Sequence, residues 1–169
     1  MRRNNNVKHL AISGLLTAVA ILIPMFMPIK LILPASTYTL ASHVPVFIAM
    51  FISPQVAVMV ALGTTFGFAM TFPPIVALRA LSHLIFALPG AIYLKKHKIY
   101  TSKQRIIFSV LISILHAIGE FTLVALVSMK GINMSILLQF ALFLGLGTFI
   151  HSMVDFFIAL MVSDTLKLQ

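Results

Sequence analysis

Three pairs of ionisable residues stand four positions apart inside otherwise apolar stretches: Arg79 with His83, His116 with Glu120, and His151 with Asp155. A spacing of four puts both members of a pair on one face of a helix. Ionisable groups in apolar surroundings are costly and read first as functional. One such pair could arise by chance, but three point to helices that face a shared polar interior. Arg79 is the permanent cation among them, and its planar fork matches a carboxylate in two parallel hydrogen bonds. Two uses are open. Arg79 pairs with Glu120 and pins two helices together, or it binds an anion. The two can coexist if Glu120 holds one side of the guanidinium while an anion takes the remaining donors.

The elements that carry these pairs must live in lipid. Of 169 residues, 60% are hydrophobic and 9% charged, with a mean hydropathy of +1.09. A soluble domain has about a quarter of its residues charged. The composition therefore describes an integral membrane protein, read as a single transmembrane domain over residues 1–169. The spans use most of the chain, which leaves no room for a soluble catalytic or ATP-binding domain, and no phosphate-binding loop is present. The absence of cysteine excludes disulfides and thiol chemistry. A cleavable leader is not expected, because the first apolar stretch ends in Pro24-Met25-Phe26-Met27-Pro28 without a small-residue cleavage site.

Proline and charge divide the chain into six apolar segments, near 8–27, 39–53, 55–72, 75–94, 106–129 and 134–162. The second is short, since crossing the hydrocarbon takes about 20 helical residues, and a re-entrant helix is the alternative. Charge favours six crossings. Arg2, Arg3, Lys8, Lys95, Lys96, Lys98, Lys103, Arg105 and Lys167 then share one face, against Lys30 and Lys130 on the other. By the positive-inside rule both termini are cytoplasmic. The formal charge of +9 thus reads as topology and contact with anionic headgroups, not nucleic acid. The fold class expected is an all-α bundle of six transmembrane helices. The outward connection from Pro28 to Tyr38 is long and apolar, a candidate lid over the bundle.

Counting 1.5 Å per residue from the outer ends places Arg79 about 6 Å, Gln139 about 8 Å and Glu120 about 13 Å below the surface. An outward-open cavity around Arg79 would thus draw on Arg79, His83, Glu120 and Gln139. His43 opens the second segment, and Tyr38 and Asn133 flank the same face. The same count puts Asp155 well into the inner half, where with His151 and Ser152 it reads as a structural link. His116 and His151 read as interhelical hydrogen-bond partners. Two histidines and a carboxylate could ligate a metal, but their different depths argue against a shared site, and none is expected. In the first segment Gly14-x-x-x-Ala18, with Ala11 a turn earlier, forms a stripe of small residues that lets another helix approach closely. Gly145 and Gly147 offer the same in the last segment.

Six short helices, a basic N-terminus and the first-helix run Ala11-Ile12-Ser13-Gly14-Leu15-Leu16-Thr17-Ala18 resemble the S components of energy-coupling factor (ECF) vitamin transporters, along essentially the whole chain. That resemblance implies a cell-membrane, multi-pass subunit that binds one vitamin near its outer face under the loop between helices one and two. It implies as partners a transmembrane coupling protein, met through Ala11, Gly14 and Ala18, and two ATP-binding cassette ATPases, with no cofactor on the chain itself. The runs Thr39-Leu40-Ala41-Ser42-His43-Val44-Pro45 and Ala77-Leu78-Arg79-Ala80-Leu81-Ser82-His83 look like the branch that handles pantothenate or niacin. Both vitamins are carboxylates. The polar inventory of Glu120, Gln139, Asn133 and Tyr38 favours pantothenate, with niacin as the alternative. A small intramembrane enzyme would need a dense acidic or metal-binding motif, and three scattered acids do not make one. A purely structural adaptor would not need three buried polar pairs.

Overall fold

Prolines and side-chain caps mark where the helices begin. Pro54 and Pro74 start helices at the position where a missing N–H is no loss. Ser53 caps the first of these by accepting from the Val56 amide at 3.2 Å. Thr101 and Gln104 form a reciprocal capping box, with the Gln104 amide donating to Thr101 Oγ1 and the Thr101 amide to Gln104 Oε1. The computed structural model describes residues 2–33, 36–128 and 133–168. Within them the order is α1 (Arg2–Phe26), β1 (Lys30–Leu33), β2 (Ser36–Thr39), α2 (Val44–Ile52), α3 (Pro54–Thr71), α4 (Pro74–Lys96), α5 (Ser102–Ser128) and α6 (Met134–Thr165). All helices but α2 are long and apolar enough to span a membrane. α6 contains a π-helical stretch, Phe140–Leu146. Lys130, read as an outer-face charge, lies outside the described residues, as do Pro34 and Ala35 in the outer connection.

The short second segment is a different object from the one expected. Its helix begins only at Val44 and rises about 13 Å. It is apolar all round, with Val44, Pro45, Val46, Phe47, Ala49, Met50 and Phe51 all buried. A helix of that character belongs in a core, and α2 is the axis around which α1, α3, α4 and α6 pack. Ahead of it in the chain stand a β-hairpin and a turn. β1 and β2 pair antiparallel, Lys30 with Thr39 and Leu31 with Tyr38. The expected lid is thus a two-stranded element added to an otherwise helical bundle.

α1 packs on α3 through Gly63 and Gly67, where an added Cβ would lie 2.8 Å from Thr17 and 2.2 Å from the tip of Ile21. This glycine pair, four apart, is an internal small-residue contact. The α1 stripe is not. Ala11, Gly14 and Ala18 are exposed, and a Cβ on Gly14 would meet nothing within 4 Å. Gly147 has a packing role, admitting the Tyr38 ring, whereas Gly145 faces open space.

The ends of the bundle separate cleanly. His9, Ser53, Pro54, Lys95, Lys98 and Leu168 surround one hollow. At the opposite end Pro24, Lys30, Phe72 and Arg79 surround another. The basic cluster therefore gathers at one end and the hairpin at the other.

Candidate functional site

α4 presents Arg79 and His83, α5 presents His116 and Glu120, and α6 presents His151 and Asp155, each pair one turn apart on an inward face. The turn after β2 brings His43 into their midst. Arg79 Nε donates to Glu120 Oε1 at 2.5 Å, with the two side chains 17% and 1% exposed. The guanidinium also lies 5.6 Å from the centre of the Tyr38 ring, and its Nη1 donates to the Thr37 carbonyl at 3.5 Å. Guanidinium has five N–H donors, so these contacts leave donors for a ligand in the adjoining space.

Asp155 is placed differently from its reading as a link in the inner half. Its Oδ1 accepts from the Ala41 amide at 2.8 Å and its Oδ2 from the His43 amide at 2.9 Å. His43 Nδ1 lies 3.1 Å and His151 Nε2 3.3 Å from the same Oδ2. The carboxylate thereby caps α2, whose own N-cap residue, His43, makes no side-chain cap bond. It also holds Ala41 at φ 67°, a left-handed conformation costly for a residue with a Cβ. The depth count failed for two reasons. The first turns of α6 stand beyond the packed bundle, and the 40–43 turn descends to meet Asp155.

The histidines consequently form one cluster. The His43 ring centre is 4.8 Å from that of His83, 4.6 Å from His116 and 4.8 Å from His151, all edge-to-face. His83 and His116 are 5.2 Å apart. His116 Nε2 approaches Glu120 Oε2 at 3.4 Å, a long electrostatic contact. Among the described residues, His83 Nδ1 and His116 Nδ1 are buried without a hydrogen-bond partner. Nitrogens of His43, His83 and His116 lie within 4.8 Å of one another, as do ligand atoms of His43, His151 and Asp155. The difference in depth that argued against a shared metal site is therefore not present. Phe86 and Phe47 pack beneath the cluster, Phe86 with its ring centre 4.4 Å from that of His116.

Above the cluster lies a cavity of about 280 Å³. Arg79, Glu120, His43, His83, His151 and Ser42 line its polar side, Phe68, Phe72 and Val76 its apolar side. Thr37, Thr39 and Lys30 of the hairpin border it as well. The opposite face of the hairpin, with Leu31, Leu33 and Tyr38, lines an apolar groove against α6. Tyr38 thus backs the site without lining the cavity. Its hydroxyl is hydrogen-bonded to the Phe143 carbonyl and lies 3.1 Å from Thr148 Oγ1. Two expected site residues are elsewhere. Gln139 is exposed, on a stretch of α6 (134–139) that makes no substantial contact with another element among the described residues. Asn133 is exposed and caps α6, accepting from the Ile136 amide at 3.0 Å. Phe68, Phe72, Thr37 and Thr39 were missed. The alternation in Thr37-Tyr38-Thr39 is a strand signal, and its period of two points both threonines to one side.

Over 168 aligned residues the chain is 45% identical to the niacin transporter NiaX of Lactococcus lactis subsp. cremoris (strain MG1363), spanning 95% of this chain and 75% of that protein. The chain belongs to the S components of ECF vitamin transporters. No family model and no solved structure matches it. As an S component it is a multi-pass protein of the cell membrane and a substrate-binding subunit, not an enzyme. Its membership implies an energy-coupling module as partner and a vitamin as substrate.

Proposed function

We propose that this S component captures niacin, as nicotinate, from the outer face of the membrane. The likeness to a niacin transporter carries the reading. The cavity supports it in three ways. Its volume of about 280 Å³ sits at the lower edge of the roughly 300–1,000 Å³ usual for small-molecule sites, suiting a single small ring. Phe68 and Phe72, packed edge-to-face with ring centres 5.0 Å apart, supply an aromatic wall for a flat heterocycle. Arg79 supplies spare donors for one carboxylate. The lean towards pantothenate rested on a generous set of hydroxyl and amide partners. Of that set, Gln139 and Asn133 are exposed and do not line the cavity, and the Tyr38 hydroxyl is bonded to α6.

In this assignment Arg79 binds the carboxylate, Glu120 orients Arg79, and His43 and His83 line the inner end. Ala11, Gly14 and Ala18 face outward from α1 as the docking stripe for a transmembrane coupling protein, behind which two ATP-binding cassette ATPases supply the energy. Calorimetry on the detergent-purified chain tests the substrate. Nicotinate should bind at least tenfold more tightly than nicotinamide, which lacks the charge. Tighter binding of pantothenate than of nicotinate would overturn the assignment.

A further inference from the structure

We infer that His43, His83 and His116 form a binding site for a divalent transition-metal ion of zinc-like preference, with its fourth position open to the cavity. The site goes beyond the niacin reading and does not depend on which carboxylate is carried.

The geometry of the three rings carries the inference. A tetrahedral ion with metal–nitrogen distances of about 2.0–2.1 Å sets the centres of its imidazole ligands about 5 Å apart. The three rings stand 4.6, 4.8 and 5.2 Å apart, each pair nearly perpendicular. Their nitrogens, within 4.8 Å of one another, need close by no more than about 1.5 Å to reach tetrahedral spacing around the ion. All three side chains are buried, and His83 Nδ1 and His116 Nδ1 have no partner among the described residues. Buried polar nitrogens are as a rule hydrogen-bonded or ligated.

The surroundings match the outer shell of a metal site. Metal-bound histidines typically present their second nitrogen to a carboxylate, which fixes the ring and strengthens the ligand. Asp155 stands in that relation to His43, Oδ2 to Nδ1 at 3.1 Å, which leaves Nε2 for an ion. Glu120 stands 3.4 Å from one nitrogen of His116, which leaves the other. Three imidazoles and an open fourth position make a site that accepts an exogenous oxygen or nitrogen ligand. Imidazole-rich sets suit zinc, copper, iron and nickel over magnesium or calcium.

Charge points the same way. With the imidazoles neutral, Arg79 and Lys30 balance Glu120 and Asp155 around the cavity and the cluster beneath it, and an entering carboxylate turns the balance negative. A divalent ion makes the interior positive before the anion arrives, so ion and carboxylate favour each other.

The test uses the full chain purified without a histidine tag, stripped with chelator and titrated with Zn²⁺ alone. One Zn²⁺ per chain is expected, and Co²⁺ in its place should show the intense visible bands of a four-coordinate ion. His83→Gln and His116→Gln should each weaken Zn²⁺ binding by more than the roughly 10–100-fold that outer-shell changes cause. Nicotinate should bind at least tenfold more tightly to the Zn²⁺-loaded chain than to the stripped one. Absence of saturable Zn²⁺ binding by the wild-type chain overturns the site whether or not the variants fold. Unchanged Zn²⁺ affinity in both folded variants overturns it as well. Nicotinate binding to a chain that takes no Zn²⁺ sinks the metal site and leaves the niacin reading intact. Zn²⁺ binding through the histidines with no nicotinate binding at all does the reverse.

Discussion

Replacing Arg79 by Met separates the two jobs of that residue when it is done twice, once alone and once with Glu120→Gln. Glu120 is 1% exposed and its shortest charged contact is the 2.5 Å bond from Arg79 Nε. Among the described residues, removing the cation alone leaves a buried carboxylate with only the 3.4 Å approach of His116 Nε2 to offset it. Breaking a buried pair on one side typically costs about 3–5 kcal/mol, because the surviving charge is stranded. Arg79→Met should therefore unfold at clearly lower temperature in detergent. In Arg79→Met with Glu120→Gln the stranded charge is gone, and most of that loss should return. Affinity should follow another course. A charge-assisted hydrogen bond to the substrate carboxylate is worth about 1.5–3 kcal/mol, roughly tenfold to over a hundredfold in Kd, and the double variant cannot recover it. Thermal unfolding and nicotinate calorimetry on the same preparations read the two effects. A stable double variant with wild-type nicotinate affinity would refute the carboxylate assignment and leave Arg79 as a helix pin.

Two further expectations concern the membrane frame. Gly14→Leu should leave nicotinate binding by the isolated chain unchanged and abolish uptake with the coupling module. Gly63→Leu, whose Cβ meets Thr17 at 2.8 Å, should instead cost about 1–3 kcal/mol of stability through overpacking. Equal losses of binding and uptake in Gly14→Leu would make the α1 stripe internal packing. Because the chain has no cysteine, Lys98→Cys gives a single label site. An impermeant thiol reagent should reach it only after permeabilisation of right-side-out vesicles, and labelling of sealed vesicles would invert the topology.

What could be read in the sequence was what the helical period controls. A spacing of four put Arg79 with His83, His116 with Glu120 and His151 with Asp155 on single faces, and lipid-like composition made those faces point inward. Depth was less legible. α6 has 32 residues, about 48 Å of helix against a hydrocarbon core of about 30 Å, so counting from its first residue drove Asp155 too far in and brought Gln139 into the site. His43 joined the cluster through a non-helical turn that no periodicity describes. The π-helical stretch left no mark in composition. The Gly63-x-x-x-Gly67 contact was in plain view, yet the stripe on α1 has the same pattern. Which one faces a neighbour within the chain depends on tertiary packing, not on the motif.

The hairpin over the cavity is fastened unevenly, and this bears on how long a bound vitamin stays. β2 and the turn that follows are tied to α6 at Tyr38, at the Ala41 amide and at the His43 amide. β1 is held by its ladder to β2 and by Lys30 Nζ on the Pro24 carbonyl at 2.8 Å. An escape route that spares the α6 bonds must swing out the β1 edge and pull Lys30 from the end of α1. A route that lifts β2 must strain α6 itself, at Phe143 within its π-helical stretch and at Asp155. With the vitamin in this cavity as proposed, its residence time should follow whichever of these two breaks sooner. A partner that bends α6 or tugs the outer end of α1 would act on that clock without touching the ligand.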